Sequence, residues 1–272
     1  MKLHRLHRRQ TALLLAALSL AGCASAPLTP PPVKAAIAES ADADWAQIKV
    51  DERYRLINNV WNKGAARSGS QRVFTGAAEG GKVIGWQWTW QAGTVVAYPE
   101  VVVGDKPWDA PSGLKSEFPL AAGSHRITAD FDADLRAQGS YNLVFSLWAI
   151  TDAARPRASI SHEIMIWLAR KEMEPPGQRL DPLTVNGVVF DAFLRRDHGD
   201  NSGANADKWS LMAFVPRDPV LKGPFELSAF IDYMLAHKLI EPRHLLTSVE
   251  LGNEVVRGAG TTELRGYAIR VE

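Results

Sequence analysis

Short runs of alternating apolar and polar residues dominate the chain from Trp45 onward. Each run is bounded by Gly, Pro, Asn or Asp, as β-strands separated by turns are. Twelve such runs predict strands at Tyr54–Trp61, Arg72–Thr75, Gly85–Trp90, Val95–Val103, His125–Phe131, Tyr141–Ile150, Ser159–Ala169, Gln178–Val185, Val188–Leu194, Trp209–Phe214, Leu245–Leu251 and Leu264–Val271. Short strands in this number predict an all-β fold, either a two-sheet sandwich or a jelly roll.

One segment departs from this alternation. Apolar residues from Phe225 to Leu239 recur near helical spacing, directly after Gly223-Pro224. Gly at the cap and Pro in the first turn suit the start of a helix. We therefore expect a single helix at about 225–238, packed on the outside of one sheet.

The N-terminus has the pattern of a targeting segment. Basic residues between Lys2 and Arg9 precede an apolar run, Thr11 to Leu20, about half the ~20 residues that a spanning helix needs. The run ends at Leu20-Ala21-Gly22-Cys23, which resembles a bacterial lipobox. We expect residues 1–22 to be a lipoprotein signal peptide and Cys23 to carry lipid. An ordinary signal peptide that contains a Cys is the alternative.

Residues 23–43 are rich in Pro, Ala and Ser and contain no aromatic residue. Such a segment buries too little apolar surface to order itself. It predicts a disordered tether between Cys23 and a folded domain at 44–272. A lipobox with Ala24 after the Cys predicts a cell-envelope lipoprotein, in the outer membrane, whose domain is periplasmic or extracellular.

Composition limits the partners and the kinds of site that this chain is expected to have. The 31 Lys and Arg balance 30 Asp and Glu, so charge gives no reason to expect nucleic acid as a partner. A single Cys excludes an internal disulfide framework and a Cys-based metal site. Nine Trp exceed what a core of this size requires, and flat aromatic faces suit sugar rings.

Residues 161–168 combine an apolar face with a face of mixed chemistry. Strand alternation puts Ile164, Ile166 and Leu168 on the apolar face, and Glu163, Met165 and Trp167 on the mixed one. The mixed face fits a cleft that holds sugar, although an edge strand with an exposed Glu would share this pattern. A zinc-protease motif is excluded, because position 166 is Ile where that motif needs His.

A second acidic segment lies near the C-terminus. Alternation sets Glu250, Gly252 and Glu254 on one face, and Gly252 leaves room for a ligand or for backbone. Gly258 and Gly260 predict a turn before the last strand. Two carboxyl groups facing one cleft are what glycoside hydrolysis requires, one ionised and the other protonated. Their mutual repulsion helps to divide these roles.

Together these segments resemble glycoside hydrolase family 12. Glu-Ile-Met-Ile-Trp-Leu at 163–168 is similar to the family's nucleophile strand, and Gly252-Asn253-Glu254 is similar to its acid/base strand. Asn59-Val60-Trp61, Tyr98-Pro99 and the predicted helix also fall where the family has them. The resemblance implies a jelly roll of two curved antiparallel sheets with an open cleft. It also implies retaining, endo-acting hydrolysis of β-1,4-glucans without a metal or organic cofactor.

The resemblance implies that Glu163 is the nucleophile and Glu254 the acid/base. Retention of configuration then predicts that their carboxyl groups lie ~5–5.5 Å apart. Met165 supports the nucleophile from the same strand face. The family usually has an Asp seventeen residues before the nucleophile, but this chain has Ser146. We expect the Ser146 hydroxyl to donate to Glu163 without adding charge, which would alter the pH optimum. The substrate-binding residues implied are Asn59, Trp61, Tyr98, Trp167 and Glu250.

Cellulose, mixed-linkage β-glucan and xyloglucan remain open as substrates of a monomeric enzyme. Loops 104–120 and 195–208 are candidate gates for branched chains. The polar stretch Asp197–Asp207 predicts a solvated hairpin tip. Calcium binding is the alternative, although the spacing of its oxygen donors matches no EF-hand. A non-catalytic carbohydrate-binding jelly roll is the competing function, and Ser146 is the feature that favours it.

Overall fold

Alternating residues form long strands in the computed structural model, which describes residues 28–199 and 207–272. The strands are β1 Ala36–Ala41, β2 Gln47–Lys49, β3 Arg55–Ile57, β4 Ala66–Ala78, β5 Gly81–Ala92, β6 Glu100–Gly104, β7 Leu120–Ala121, β8 Ile127–Ile150, β9 Ile160–Lys171, β10 Gln178–Val185, β11 Val188–His198, β12 Trp209–Pro216, β13 Phe225–Glu226, β14 Leu245–Leu246, β15 Ser248–Gly252 and β16 Val255–Val271. Two 3₁₀ turns lie at Lys63–Ala65 and Arg157–Ser159, and one α-helix, α1, spans Ser228–Ala236.

Hydrogen bonds join these strands into an open sheet that folds over on itself through the long strand β8. The first layer has the order β1-β4-β5-β16-β8, and the second continues from β8 through β15, β6, β3 and β2. On its other side, the second half of β8 pairs with β9, which leads to β12, β11 and β10. The expected all-β class and jelly-roll sandwich are confirmed. One pair departs from the antiparallel expectation, because β9 and β12 are parallel.

The core lies between the layers. Ile164, Ile166 and Leu168 are fully buried there, which confirms the apolar face predicted for 161–168. Trp86 and Trp88 of the facing layer are also buried in this core. Their indoles therefore pack between the sheets. A second, smaller apolar cluster on the outer side of the second layer contains Tyr98, Val144, Met165, Trp167, Leu211, Ala213 and Val215.

Two strands run further than their sequence predicts. The run Tyr141–Ile150 and, from Ile127 onward, the run His125–Phe131 belong to the single 24-residue β8, because the residues between them keep the two-residue alternation. The turn expected at Gly258 and Gly260 was wrong, since β16 continues through both. A Cβ at Gly258 would lie 1.9 Å from the Gln138 carbonyl oxygen, so close contact between strands requires this glycine.

The helix prediction was right in place but too long at its start. Phe225 and Glu226 pair with β8 as the short strand β13, and α1 begins only at Ser228. Phe230 of α1 packs edge-on against Phe214, with ring centroids 4.9 Å apart. This aromatic contact holds the helix on the sheet. In the described parts of the chain, no helix has the length and apolarity that membrane crossing demands.

The described end of the predicted tether is part of the domain. Residues 36–41 form β1, which pairs with the edge strand β4, so the prediction of a disordered tether was wrong for these residues. The backbone N–H groups of Lys34 and Ala35 donate to the buried carboxylate of Glu263. Covering an exposed strand edge and satisfying a buried charge explain the ordering. The signal peptide and Cys23 lie outside the described residues.

Candidate active site

A cavity of about 370 Å³ opens on the outer side of the second layer. Its walls combine aromatic faces with carboxyl groups, which is the chemistry of a sugar-binding cleft. The aromatic residues that line it are Trp45, Trp61, Tyr98, Trp108, Trp148 and Trp209. The acidic residues that line it are Glu163, Glu250 and Glu254.

Glu163 projects from β9 into this cavity. Its neighbours in the sheet are Trp148 of β8 and Leu211 of β12. The Trp209 indole Nε1 donates to Glu163 Oε2 at 3.0 Å, and His198 Nε2 lies 4.0 Å from the same oxygen. Burial raises the pKa of Glu163 from 4.5 to about 8, with a further contribution from the charge of Glu254. The indole hydrogen bond opposes this rise, because it stabilises the carboxylate.

Glu254 lies between β15 and β16, where the Asn142 side chain holds it on two sides. Asn142 Nδ2 donates to Glu254 Oε2 at 2.6 Å, and Asn142 Oδ1 accepts from the Glu254 backbone N–H at 3.0 Å. The adjacent Asn253 donates to the Asn142 carbonyl oxygen at 2.6 Å. Burial raises the pKa of Glu254 to about 7, while the Asn142 bond acts in the opposite direction.

The two carboxyl groups therefore behave as a coupled pair in one cavity. Burial raises the pKa of both groups, and the charge of Glu254 raises that of Glu163 further, so ionising both at once is disfavoured and the pair retains a proton near neutral pH. Trp209 favours the charge on Glu163, and Asn142 favours it on Glu254. One ionised and one protonated carboxyl group is the state that acid-assisted nucleophilic displacement needs.

Ser146 does not make its expected bond. It lies in β8 between Met165 of β9 and Glu250 of β15, and it lines the cavity. Its Oγ is buried and forms no hydrogen bond with any residue in the described ranges, so the predicted donation to Glu163 is absent. The hydrogen bond to Glu163 comes from the Trp209 indole instead. Met165 lines the cavity beside Glu163.

The predicted substrate-binding residues divide into two groups. Asn59, Trp61, Tyr98 and Glu250 line the cavity. Trp167 does not, because its side chain is buried in the small apolar cluster beneath the cavity floor. Its expected contact with sugar was wrong: alternation gave the correct sheet face, but neighbouring side chains cover the indole.

Tyr98 and Gly252 lie against each other rather than around a ligand. The Tyr98 hydroxyl donates to the Val144 carbonyl oxygen at 3.0 Å, which fixes its ring. A Cβ at Gly252 would lie 2.7 Å from that ring and 2.5 Å from the Pro99 carbonyl oxygen. The room at Gly252 is thus used by Tyr98 and backbone.

The sequence did not single out Asn142, Trp209, His198 or Lys106. Alternation along β8 could have found Asn142, since it shares a face with Ser146 and Trp148. Trp209 stands two residues before Leu211, the neighbour of Glu163, and strand pairing alone reveals that proximity. Of the candidate gate 195–208, residues 200–206 lie outside the described ranges, as does most of the loop considered for calcium.

Comparison with known proteins agrees with this geometry. Residues 52–272 match the family model described as Glycosyl hydrolase family 12. This chain belongs to that family. Within glycosyl hydrolase family 12, the chain is 28% identical over 227 residues to Endoglucanase S of Pectobacterium parmentieri, covering 82% of this chain and 83% of that protein. It is 25% identical over 228 residues to the xyloglucan-specific endo-beta-1,4-glucanase A of Aspergillus niger, covering 80% of this chain and 85% of that protein.

Solved structures of family 12 enzymes share the fold. A family 12 xyloglucanase from Bacillus licheniformis superposes with a TM-score of 0.76 at 21% identity, covering 86% of this chain and all of that one. The endoglucanase cel12A from Rhodothermus marinus gives a TM-score of 0.67 at 22% identity, covering 86% of this chain and 99% of that one. The resemblance read from the Glu163 and Glu254 segments is therefore confirmed at the level of family and fold.

Proposed function

We propose that this family 12 enzyme hydrolyses internal β-1,4-glucosidic bonds of glucan polysaccharides with retention of anomeric configuration. The observation that carries the proposal is the pair of partly buried carboxyl groups, Glu163 and Glu254, facing one aromatic-lined cavity. Relatives named endoglucanase and xyloglucan-specific endo-beta-1,4-glucanase support the substrate class.

The proposed first step forms a glycosyl-enzyme ester. The Glu163 carboxylate attacks the anomeric carbon while the carboxylic acid of Glu254 gives its proton to the departing glycosidic oxygen. In the second step, the Glu254 carboxylate accepts a proton from water. The water oxygen attacks the same carbon, breaks the ester and regenerates Glu163. Two inversions give net retention.

Aromatic side chains along the cavity suit successive sugar rings. Trp148 packs edge-on against Trp108 and Trp209, with ring centroids 4.7 Å and 5.4 Å apart. Trp108 is 37% exposed, which leaves part of its indole available to a ligand. Trp61 lines the cavity as well. An open cleft with such surfaces supports binding along a polymer rather than at its end.

The decisive experiment compares Glu163→Gln and Glu254→Gln with wild type on soluble mixed-linkage β-glucan. Each substitution removes one role while keeping side-chain size, so each should lower the rate by ~10²–10⁴. Trp61→Ala is a matched control, which should weaken binding more than turnover. Equal activity in wild type and both Gln variants would rule out Glu163 and Glu254 as the catalytic pair.

Xyloglucan is the second candidate substrate, favoured by relatives named as xyloglucan-specific. Products from tamarind-type xyloglucan and from carboxymethyl cellulose, measured under the same conditions, distinguish the two. A preference for xyloglucan requires a cleft wide enough for xylosyl branches. Cleavage of carboxymethyl cellulose alone would exclude that preference.

We propose further that Cys23 carries a lipid that holds a monomeric domain at the cell envelope, in the outer membrane. The lipobox at 20–23 and the absence of a retention Asp at Ala24 support this location. Cys23→Ala should move the protein from the membrane fraction to the soluble fraction. Unchanged fractionation would reject the anchor, and light scattering tests the monomer.

A further inference from the structure

Three charged side chains are buried together beside the catalytic cavity. Lys106, in the turn after β6, hydrogen-bonds through Nζ to Glu100 Oε1 of β6, and the same Nζ lies 3.4 Å from Glu250 Oε2 of β15. The exposed fractions of these side chains are 2% for Lys106, 0% for Glu100 and 2% for Glu250. We call this group the buried triad.

The two carboxylates of the triad are held by further hydrogen bonds. Ser248 Oγ donates to Glu250 Oε1 at 2.8 Å, and Asn59 Nδ2 donates to Glu100 Oε1 at 2.9 Å. Burial raises the pKa of Glu100 well above its ordinary value.

Stability alone gives little reason to bury these charges. Removing ions from water costs more than a buried ion pair commonly returns, and apolar replacements are often equally stable. The location is more informative, because Lys106 and Glu250 both line the cavity that contains Glu163. A functional role at that cavity accounts for their burial.

Strand register places the triad close to the nucleophile. Glu250, Ser146 and Met165 are direct neighbours across β15, β8 and β9, and Met165 follows Glu163 by two residues on the same strand face. Ser146 carries no charge, so Glu250 is the first ionisable side chain in that row. Lys106 is the cation nearest to Glu250.

Five polar groups from five segments act on Glu163. Trp209 and His198 approach from β12 and β11, and Glu254 faces it from the β15–β16 connection. Lys106 lowers the pKa of Glu163, whereas Glu250 raises it. Lys106 and Glu250 therefore have opposite effects on the charge of Glu163.

We propose that Lys106 and Glu250 are positioning residues that set the charge of Glu163, with Lys106 favouring the ionised nucleophile and Glu250 restraining it. This inference rests on the proposed role of Glu163. It assigns the pair no contact with the reacting atoms. Its consequence is that substitutions at the two positions change the ionisation of Glu163 in opposite directions.

The experiment uses the Glu254→Gln background and 2,4-dinitrophenyl β-cellotrioside. This leaving group departs without a proton, so the burst of dinitrophenolate reports attack by Glu163 alone. The pH midpoint of the burst rate is measured with and without Lys106→Met, Glu250→Gln, or both. The combined Glu163→Gln and Glu254→Gln variant is the control for the nucleophile.

Lys106→Met should move the midpoint up by about 0.5–1 pH unit, and Glu250→Gln should move it down by a similar amount. Together they should return it to within about 0.3 unit of the parent. Unchanged midpoints, or two shifts of the same sign, would overturn the inference. If near-UV circular dichroism shows that Lys106→Met is not folded, Glu250→Gln decides alone: an unchanged or raised midpoint rejects the proposal.

The Glu163→Gln control distinguishes failure of the proposed function from failure of the roles inferred for Lys106 and Glu250. A burst that persists after Glu163→Gln would mean that the nucleophile is misassigned, which rejects the proposed function itself. A burst lost in that control, with midpoints unaffected at Lys106 and Glu250, rejects only the role of the buried pair.

Discussion

Replacing the nucleophile should stabilise the fold, and increasingly so as the pH rises. In wild type, Glu163 is 14% exposed and its carboxyl group faces the charge of Glu254. Ionising it inside the cavity therefore costs free energy that the unfolded chain does not pay. Glu163→Gln keeps the size and the acceptor for Trp209 but cannot ionise.

The magnitude follows from the pKa of Glu163. A rise from 4.5 to about 8 corresponds to about 5 kcal/mol at pH values well above 8. Water entering the open cavity reduces this figure, so we expect about 2–3 kcal/mol. Because the folded pKa is raised, wild type has its full stability below about pH 4.5. It loses stability as the pH rises through about 8.

Urea unfolding followed by tryptophan fluorescence at pH 4.5, 7 and 9 measures this effect. The free energy of unfolding of Glu163→Gln minus that of wild type should grow by about 2–3 kcal/mol across the series. Glu39→Gln, at an exposed position of β1, is the matched control and should show no such trend. A difference independent of pH would refute the inference that partial burial and the charge of Glu254 disfavour ionisation of Glu163.

Asn142→Ala should lower kcat ~10–100-fold with little change in KM, because it removes the side-chain bonds that hold Glu254. The alkaline limb of its pH–rate profile should move upward, since the lost bond lowers the pKa of Glu254; an unmoved limb would count against the assignment. Trp209→Phe should reduce kcat/KM about tenfold and raise the pH at which Glu163 ionises, as a pH profile with the dinitrophenyl substrate would show; an unchanged profile would contradict this. Deleting residues 28–41 should cost roughly 2–4 kcal/mol of stability in urea unfolding, and no loss would show that β1 is dispensable.

Several site features were predictable because strand geometry is local. A two-residue period assigns alternate side chains to opposite faces, which correctly separated Ile164 and Ile166 from Glu163 and Met165. Motifs around Glu163 and Glu254 then identified the family, because their order and spacing survive in the linear chain. The same local rule predicted the all-β class.

Other features depended on which strands become neighbours. The predicted Ser146 bond and the Trp167 sugar contact failed, because alternation gives a face but not what covers or meets a side chain. Asn142 meets Glu254 across 112 residues, and Trp209 meets Glu163 across 46. A local sequence pattern cannot reveal contacts between residues so far apart in the chain.

The sequence by itself determined the strand periodicity, the two acidic segments and the family. Only the tertiary structure decided which groups bond to each glutamate, how burial raises both pKa values, and that Lys106 joins two carboxylates beside the cavity. The physical reason is that periodicity depends on backbone geometry within one strand, whereas hydrogen bonding, burial and charge depend on residues brought together from distant strands.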